Sequence, residues 1–236
     1  MSVAEDFLDL YKQLEEELED KYTNARRRFS SVIYEFIKSS ESEPVRDKLE
    51  VCREIRNLLS HNAKLGGEPI VSPSEPVVQA LKEVIDFVRK PPLAIEYATK
   101  AESIIKATLD QKVLKVMRVM EKNGISHVPV LENGHFTGVF SIETVFQYIL
   151  NAGKAISENT TVRDLSQHIP VHMHRDNYYA FIPENASFIQ AKDHFKKKFG
   201  RNERTAVVFI TKTGKQDEKL LGMITPFDVM EEQIKK

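Results

Sequence analysis

The sequence has a single cysteine, no long apolar run and almost no net charge, so none of these three features assigns it to a class of protein. Its only cysteine, Cys52, excludes an intramolecular disulfide and a zinc site built from several thiolates, so a reducing cytoplasm is the expected setting. No apolar run approaches the about 20 residues that cross a bilayer, and the acidic residues 1–6 lack the core of a signal peptide. We therefore expect a protein without membrane association. A net charge of −1 gives no general sign of nucleic-acid binding.

What is present is an ordinary globular mixture of 41% hydrophobic and 29% charged residues over 236 positions. Residues 1–92 have a helical pattern throughout. Four apolar stripes at helical spacing begin at Phe7, Phe29, Val45 and Val77. Pro91 and Pro92 end this region, because proline lacks a backbone donor and clashes with the preceding turn. Four amphipathic helices with short connections predict an up-and-down bundle.

Beyond Pro92, short β-branched runs alternate with helical stretches, and the same order of elements occurs twice. The predicted helices cover 113–120, 142–150 and 187–199 with a last one from Pro226, and the predicted strands cover 127–131, 137–140, 205–210 and 220–224. Asn133-Gly134 indicates a tight hairpin turn, and Ser187 with Gln190 has the spacing of a capping box. Residues 138–141 align with residues 222–225. We predict an internally duplicated α/β domain after the helical bundle.

The duplicated half resembles a tandem pair of cystathionine-β-synthase (CBS) domains, a Bateman module, over 97–153 and 156–236. The resemblance rests on a strand-to-helix turn of the form glycine-apolar-x-Ser/Thr-x-x-Asp, which is complete from Gly222 to Asp228. In this family the hydroxyl and the carboxylate of the turn hold the ribose and phosphate of an adenosine nucleotide. The resemblance therefore implies that Thr225 and Asp228 bind AMP, ADP, ATP or a related ligand. A helix N-terminus suits the phosphate, because its N–H groups are not paired within the helix.

The first copy departs from the family pattern. Ser141 occupies the hydroxyl position, but Thr144 stands where the family has its ribose-binding aspartate. Both residues are candidate nucleotide ligands, and we expect at most one good site, centred on the second turn. Arg204, at the end of a basic stretch that begins at Lys196, is a candidate phosphate contact.

Each of these patterns has a plainer interpretation that the sequence leaves open. Thr225 and Asp228 are residues that cap helices in many proteins, and a lysine run is commonly a solvated helix face. His168, His172 and His174 suggest a metal site, since the last two would share one face of a strand. No third ligand has a fixed spacing, so we predict no metal.

The end of the third helical stripe, residues 56–61, reads Arg-Asn-Leu-Leu-Ser-His. It is similar to the Arg-x(4–6)-His signature of HEPN domains (higher eukaryotes and prokaryotes nucleotide-binding), which are four-helix bundles. Many members are metal-independent ribonucleases whose site forms between two subunits, which implies a homodimer and catalytic roles for Arg56, Asn57 and His61. Histidine can move protons near neutral pH, and arginine can hold a phosphate bidentately. The helix macrodipole alone also favours both residues at a helix C-terminus.

Taken together, the sequence predicts a CBS pair that senses an adenine nucleotide and regulates a ribonuclease acting on RNA, with no required cofactor. The alternative is a non-catalytic regulatory protein whose helices dimerise or dock a partner. The charge is unevenly divided between the halves. Residues 1–92 hold 14 Lys and Arg against 18 Asp and Glu, and the remainder holds 20 against 17. The positive excess suits an anionic ligand on the second half, whereas the acidic first half disfavours extended RNA binding.

Overall fold

The structure is a computed structural model that describes residues 2–21, 31–61, 71–153, 155–174, 178–196 and 204–234. The chain divides into two compact units, Met1–Pro92 and Leu93–Lys236. Each unit has hydrophobic cores of its own. None of the described helices is both long enough and apolar enough to span a membrane.

The described part of the first unit is helical. Its helices are α1 (Val3–Lys21), α2 (Val32–Lys38), α3 (Arg46–His61) and α4 (Glu75–Arg89), with a short 3-10 turn at Ser40–Ser42. Helix α1 packs on the other three helices, and α3 packs on α4. The apolar stripes form the buried faces, with Phe7, Leu14, Leu49 and Leu81 fully buried. Phe29, the start of the second stripe, lies outside the described residues.

The second unit is a mixture of helices and strands. Its helices are α5 (Ala94–Tyr97), α6 (Val113–Asn123), α7 (Ile142–Ala152), α8 (Phe188–Lys196) and α9 (Pro226–Ile234). Its strands are β1 (Thr99–Lys100), β2 (Ala107–Thr108), β3 (His127–Glu132), β4 (His135–Ser141), β5 (Tyr179–Pro183), β6 (Val207–Thr211) and β7 (Gly222–Ile224). Two 3-10 segments, Val162–His168 and Val171–Met173, lie between the repeats.

The strands form two sheets that repeat one arrangement. In the order β2-β3-β4 the first pair is parallel and the second antiparallel, and β5-β6-β7 repeats this. Asn133 and Gly134 turn the β3–β4 hairpin with φ angles of 52° and 82°, as the sequence predicts. Strand β1 pairs with β7 of the second repeat, although it lies at the start of the segment 97–153 that the sequence resemblance assigns to the first copy. The segment at the start of the unit therefore completes the sheet of the second repeat.

The two repeats also share a core. Phe136 and Val139 of β4 pack with Tyr179 and Phe209 of the second sheet in one buried cluster. This contact places the loop before β3 beside the segments that precede β5 and β6. The candidate site lies where these pieces meet.

The predicted strand at His172 and His174 is wrong. Val171–Met173 is a 3-10 turn that follows Pro170, and it leaves His172 exposed while His174 is buried. Nε2 of His174 lies 3.4 Å from the carbonyl oxygen of Ile169, and its ring packs at 4.9 Å against that of Tyr179. Within the described ranges, no three His, Cys, Asp or Glu side chains form a group that could hold a metal ion.

Candidate functional site

The turn between β7 and α9 carries the strongest sequence motif. Thr225 is the single residue between strand and helix, and Asp228 lies in the first turn of α9. Oδ2 of Asp228 accepts two hydrogen bonds from Thr225, one from its backbone N–H at 2.7 Å and one from its hydroxyl at 2.8 Å. The capping interpretation is thus observed. Both residues remain partly exposed, so capping does not remove them from solvent.

A cavity of about 370 Å³ lies beside this turn. Residues 124–127 from the first repeat line one part of it, and Tyr178, residues 204–206 and residues 223 and 225–227 from the second repeat line the rest. Its volume falls at the lower end of the range for small-molecule sites. The duplication therefore builds one cavity from both repeats.

Two lining groups suit an anion. Arg204 is exposed and precedes β6, and the N-terminus of the nine-residue α9 contributes Pro226 and Phe227. The first amides of a helix lack partners within the helix and carry a positive partial charge. The structure thus brings Arg204 and Thr225 into one cavity, as the sequence argument requires. Residues 197–203, which include most of the basic stretch, lie outside the described residues.

A hydrogen-bonded chain of three side chains also lines the cavity. Oγ of Ser126 lies 2.9 Å from Nδ1 of His127, and Nε2 of His127 lies 3.3 Å from the hydroxyl of Tyr178. Burial, with a smaller effect from His174, lowers the pKa of His127 to about 4. His127 is therefore neutral at pH 7. Sequence reasoning missed His127 and Tyr178, because neither belongs to a recognisable motif.

The equivalent turn of the first repeat has different surroundings. Ser141 caps α7, and both Ser141 and Thr144 are buried. The hydroxyl of Thr144 donates to the carbonyl of Val139 at 3.3 Å and accepts the backbone N–H of Ser141 at 3.1 Å. The backbone N–H of Thr144 donates to Oγ of Ser141 at 3.3 Å. These contacts satisfy the two hydroxyls within the protein, so neither the Ser141 nor the Thr144 hydroxyl is accessible to a ligand.

The candidate catalytic residues all belong to α3 of the first unit. Arg56 is half-buried, with its guanidinium 3.8 Å from a carboxylate oxygen of Glu15 and 5.7 Å from the ring centre of Tyr11. Burial, with Glu15 as a further cause, raises the pKa of Tyr11 to about 12. Asn57 is exposed. His61 ends the helix, and its side chain lies outside the described part, so the pairing of Arg56 with His61 stays a prediction.

Several solved structures are similar to this chain. CBSX2 in complex with AMP is 16% identical, with a TM-score of 0.44 over 61% of this chain and 99% of that one. A CBS domain pair in complex with 5′-methylthioadenosine and S-adenosyl-L-methionine is 14% identical, with a TM-score of 0.42 over 61% and 98%. An acetoin utilization protein (AcuB) from Vibrio cholerae is 15% identical, with a TM-score of 0.45 over 61% and 90%. TM-scores below 0.5 are too low to assign a fold or a ligand.

The sequence comparisons are more specific. No curated protein matches the chain. Residues 84–151 match the family model for the CBS domain. The matched segment contains the whole β2-β3-β4 sheet and most of α7, which includes the first of the two turns. The chain thus consists of N-terminal helices followed by a CBS fold, and the match supports a CBS-domain protein.

Proposed function

We propose that the second unit binds an adenine nucleotide, such as AMP, ADP or ATP, in the cavity beside Thr225 and that occupancy regulates the protein. One observation carries the proposal. The cavity collects Thr225 at the start of α9, the residue Arg204 and a neutral pair, His127 and Tyr178, from four separate parts of the chain. These groups supply acceptors for a sugar, cations and amides for a phosphate, and a polar edge for a base.

The ribose contacts follow from the direction of the capping hydrogen bonds. Since the hydroxyl of Thr225 donates its proton to Asp228, the Thr225 oxygen acts toward a ligand as an acceptor. The second oxygen of the Asp228 carboxylate, Oδ1, has no protein partner in the described part of the chain. Both oxygens can accept protons from ribose hydroxyls. Thr225 lines the cavity, whereas Asp228 is not one of its lining residues and adjoins it through the hydrogen bonds to Thr225. The capping bonds therefore leave both residues with an oxygen that can accept.

The phosphate contacts need positive charge that the cap does not supply. The amides of the first turn of α9 and the guanidinium of Arg204 provide it. Pro226 has no N–H, so Phe227 contributes the first amide of the helix. The charged groups lie at an exposed edge, where a ligand with more phosphates can extend into solvent.

Calorimetric titration with AMP, ADP and ATP tests the proposal. Thr225→Val and Asp228→Asn each remove ribose contacts, and we expect each to weaken the best-binding nucleotide about tenfold or more. Thr144→Val in the first repeat is the matched control, because its hydroxyl is buried, and we expect unchanged affinity. The proposal is wrong if the intact protein binds none of the three nucleotides, or if Thr225→Val and Asp228→Asn bind as well as it does.

For the first unit we propose, separately, metal-independent cleavage of RNA by Arg56, Asn57 and His61. The position of Arg56 supports this, since its guanidinium is close enough to Glu15 to be oriented but lies beyond hydrogen-bond distance of it. Arg56→Ala and His61→Ala should each abolish EDTA-resistant cleavage and its 2′,3′-cyclic phosphate product. Arg89→Ala is the control, because Arg89 pairs with Glu17 at 2.8 Å away from the motif. Equal cleavage by all variants would leave the unit as a docking or dimerisation module.

We further propose that two copies of the chain associate through α7. Ile142, Phe146 and Leu150 form a stripe on this helix with exposures of 70%, 61% and 64%, which is more apolar surface than a solvated helix needs. Ile142 also lines an adjoining groove of about 520 Å³ that is otherwise mainly apolar. A twofold axis beside α7 places the apolar stripe of each copy in the groove of the other copy.

The charges of the groove favour a second copy as the occupant. Arg118 and Glu121 lie three residues apart on α6 and line the groove, and an antiparallel pair of these helices sets each arginine beside the partner glutamate. We expect sedimentation to show a dimer that Phe146→Glu converts to a monomer. Met173→Glu is the control, because Met173 is an exposed apolar side chain outside α7. A monomeric parent protein would contradict this proposal.

A further inference from the structure

Arg53 lies on α3 about one helical turn before Arg56, and its side chain contains a buried donor without an acceptor. The residue is half-buried, and its Nε is shielded from solvent but makes no hydrogen bond. Within the described ranges, the guanidinium has no hydrogen-bond or ion-pair partner. A buried donor that lacks an acceptor is destabilising, because its hydration is lost and not replaced. Folding alone therefore does not favour an arginine at this position.

Two other arginines of the first unit show how the same nitrogen is satisfied by the protein. Nε of Arg46 donates to the carbonyl oxygen of Ile37 at 3.0 Å, and Nε of Arg89 donates to a carboxylate oxygen of Glu17 at 2.8 Å. The described part of the chain gives Arg53 no such acceptor. An anion from outside the chain can supply one, and its charge strengthens the hydrogen bond.

The surroundings of Arg53 contain a second guanidinium. Residues three apart on a helix are neighbours on its surface, so Arg53 and Arg56 share a face of α3. Both charges act to lower the pKa of Tyr11 on α1, although burial outweighs them and raises it to about 12. Tyr11 is therefore uncharged at pH 7 and neutralises neither arginine. In the described part of the chain, the only carboxylate at ion-pair distance from either guanidinium is that of Glu15, 3.8 Å from Arg56.

Neighbouring guanidiniums repel each other unless an anion lies between them, and the several oxygens of a phosphate can accept from both. We propose that Arg53 and Arg56 together hold one phosphate of the RNA backbone, which makes Arg53 a phosphate-binding residue outside the Arg-x4-His motif. This inference rests on the ribonuclease proposed for the first unit and adds a contact to its substrate. Binding of a single phosphate also agrees with the acidic charge of residues 1–92, which disfavours extended RNA contacts.

Titration with a short 2′-O-methyl RNA tests the inference without cleavage, because this ligand lacks the attacking hydroxyl. We expect Arg53→Met to weaken binding about tenfold, as the loss of a charge-assisted hydrogen bond implies. The slope of log K against log salt should fall in magnitude by about 0.7, since one phosphate contact to a single strand is lost. Arg89→Met is the matched control, because it removes an arginine of the same unit that pairs with Glu17, and we expect it to change neither quantity.

The stability of Arg53→Met separates substrate binding from a structural role. Methionine fills a similar space without the unpartnered donor, so we expect urea denaturation to give this variant a free energy of unfolding no lower than that of the intact protein. An arginine that served the fold would lose stability on the same substitution. A less stable Arg53→Met protein, or one that binds the RNA as tightly as the intact protein, would overturn the inference.

The outcomes also distinguish this inference from the proposal on which it rests. An equal loss of affinity in Arg53→Met and Arg89→Met would indicate general electrostatic attraction and overturn the shared phosphate site. Binding of the 2′-O-methyl RNA by an intact protein that does not cleave unmodified RNA overturns the ribonuclease and leaves the phosphate site in place. Absence of binding by the intact protein overturns the phosphate site, whatever the protein does to unmodified RNA.

Discussion

The turns of the two repeats, residues 138–144 and 222–228, differ in accessibility more than in sequence. In the first, Ser141 and Thr144 are buried and bond to each other and to the backbone. In the second, Thr225 and Asp228 form a similar cap that is partly exposed beside a cavity. A shared local motif thus forms a sealed cap in one repeat and a candidate ligand site in the other.

The segment between the repeats accounts for the sealing of the first turn. Ile169 accepts the backbone N–H of Val139 at 3.0 Å, and the 3-10 helix Val162–His168 packs on α7. The backbone of Gly138 is so close to Ile169 that a side chain has no room there. A duplicated motif therefore joins a strand to a helix in both copies, but its side chains are accessible only in the copy where no other segment packs over it.

The largest expected effect compares the glycines that open the two turns. A Cβ on Gly138 would lie 2.6 Å from the carbonyl carbon of Ile169, and the residue has a φ of +156°. We expect Gly138→Ala to lower the free energy of unfolding by about 3 kcal/mol. A Cβ on Gly222 meets Ile95 and Ala98 at 3.0 and 3.1 Å, so Gly222→Ala should cost only about 1 kcal/mol. Urea denaturation measures both, and equal losses would show that Ile169 does not seal the first turn.

The pH dependence of the free energy of unfolding tests the contact between the repeats that His127 makes with Tyr178. Burial lowers the pKa of His127 to about 4 from an ordinary value of 6.5, so the unfolded chain binds more protons between these values. His127 therefore destabilises the fold increasingly as the pH falls from 6.5 toward 4, with no penalty above this window. This displacement of the pKa corresponds to roughly 3 kcal/mol, and because His127 is only partly buried, solvent screening reduces the expected loss to about 2 kcal/mol. His127→Gln should flatten the profile, while His135→Gln, at an exposed position, should not. A parent protein with constant stability from pH 6.5 to 4 would contradict the assigned cause.

The smallest effect concerns the charged edge of the second turn. Arg204→Gln should weaken AMP binding about fivefold at low salt, and less at high salt, because an exposed ion pair is screened. Arg163→Gln is the control, because Arg163 pairs with Asp110 at 2.9 Å and is not among the residues that line the cavity. We expect it to leave AMP affinity unchanged. An equal effect of both changes would indicate general electrostatic attraction rather than a contact at the site.

Many elements of the second unit could be predicted from short-range patterns. The hairpin at Asn133 and Gly134 is confirmed, as is the capping box in which Ser187 and Gln190 exchange hydrogen bonds at 3.1 and 3.2 Å. These signals are reliable because each acts within a few residues. The strand expected at His172 is wrong, because alternation over three residues is too short to outweigh a turn after Pro170.

The sequence by itself determined the longer helices, the strands β3, β4, β6 and β7, the duplicated turns and the positions of Thr225 and Asp228, since backbone preferences and capping act locally. It missed α5 and the strands β1, β2 and β5. Only the tertiary structure decided which turn is accessible, that β1 completes the second sheet, and that His127 meets Tyr178, 51 residues away. The physical reason is that burial and contacts between distant residues depend on how complete elements pack. No local pattern records which segment covers a given surface.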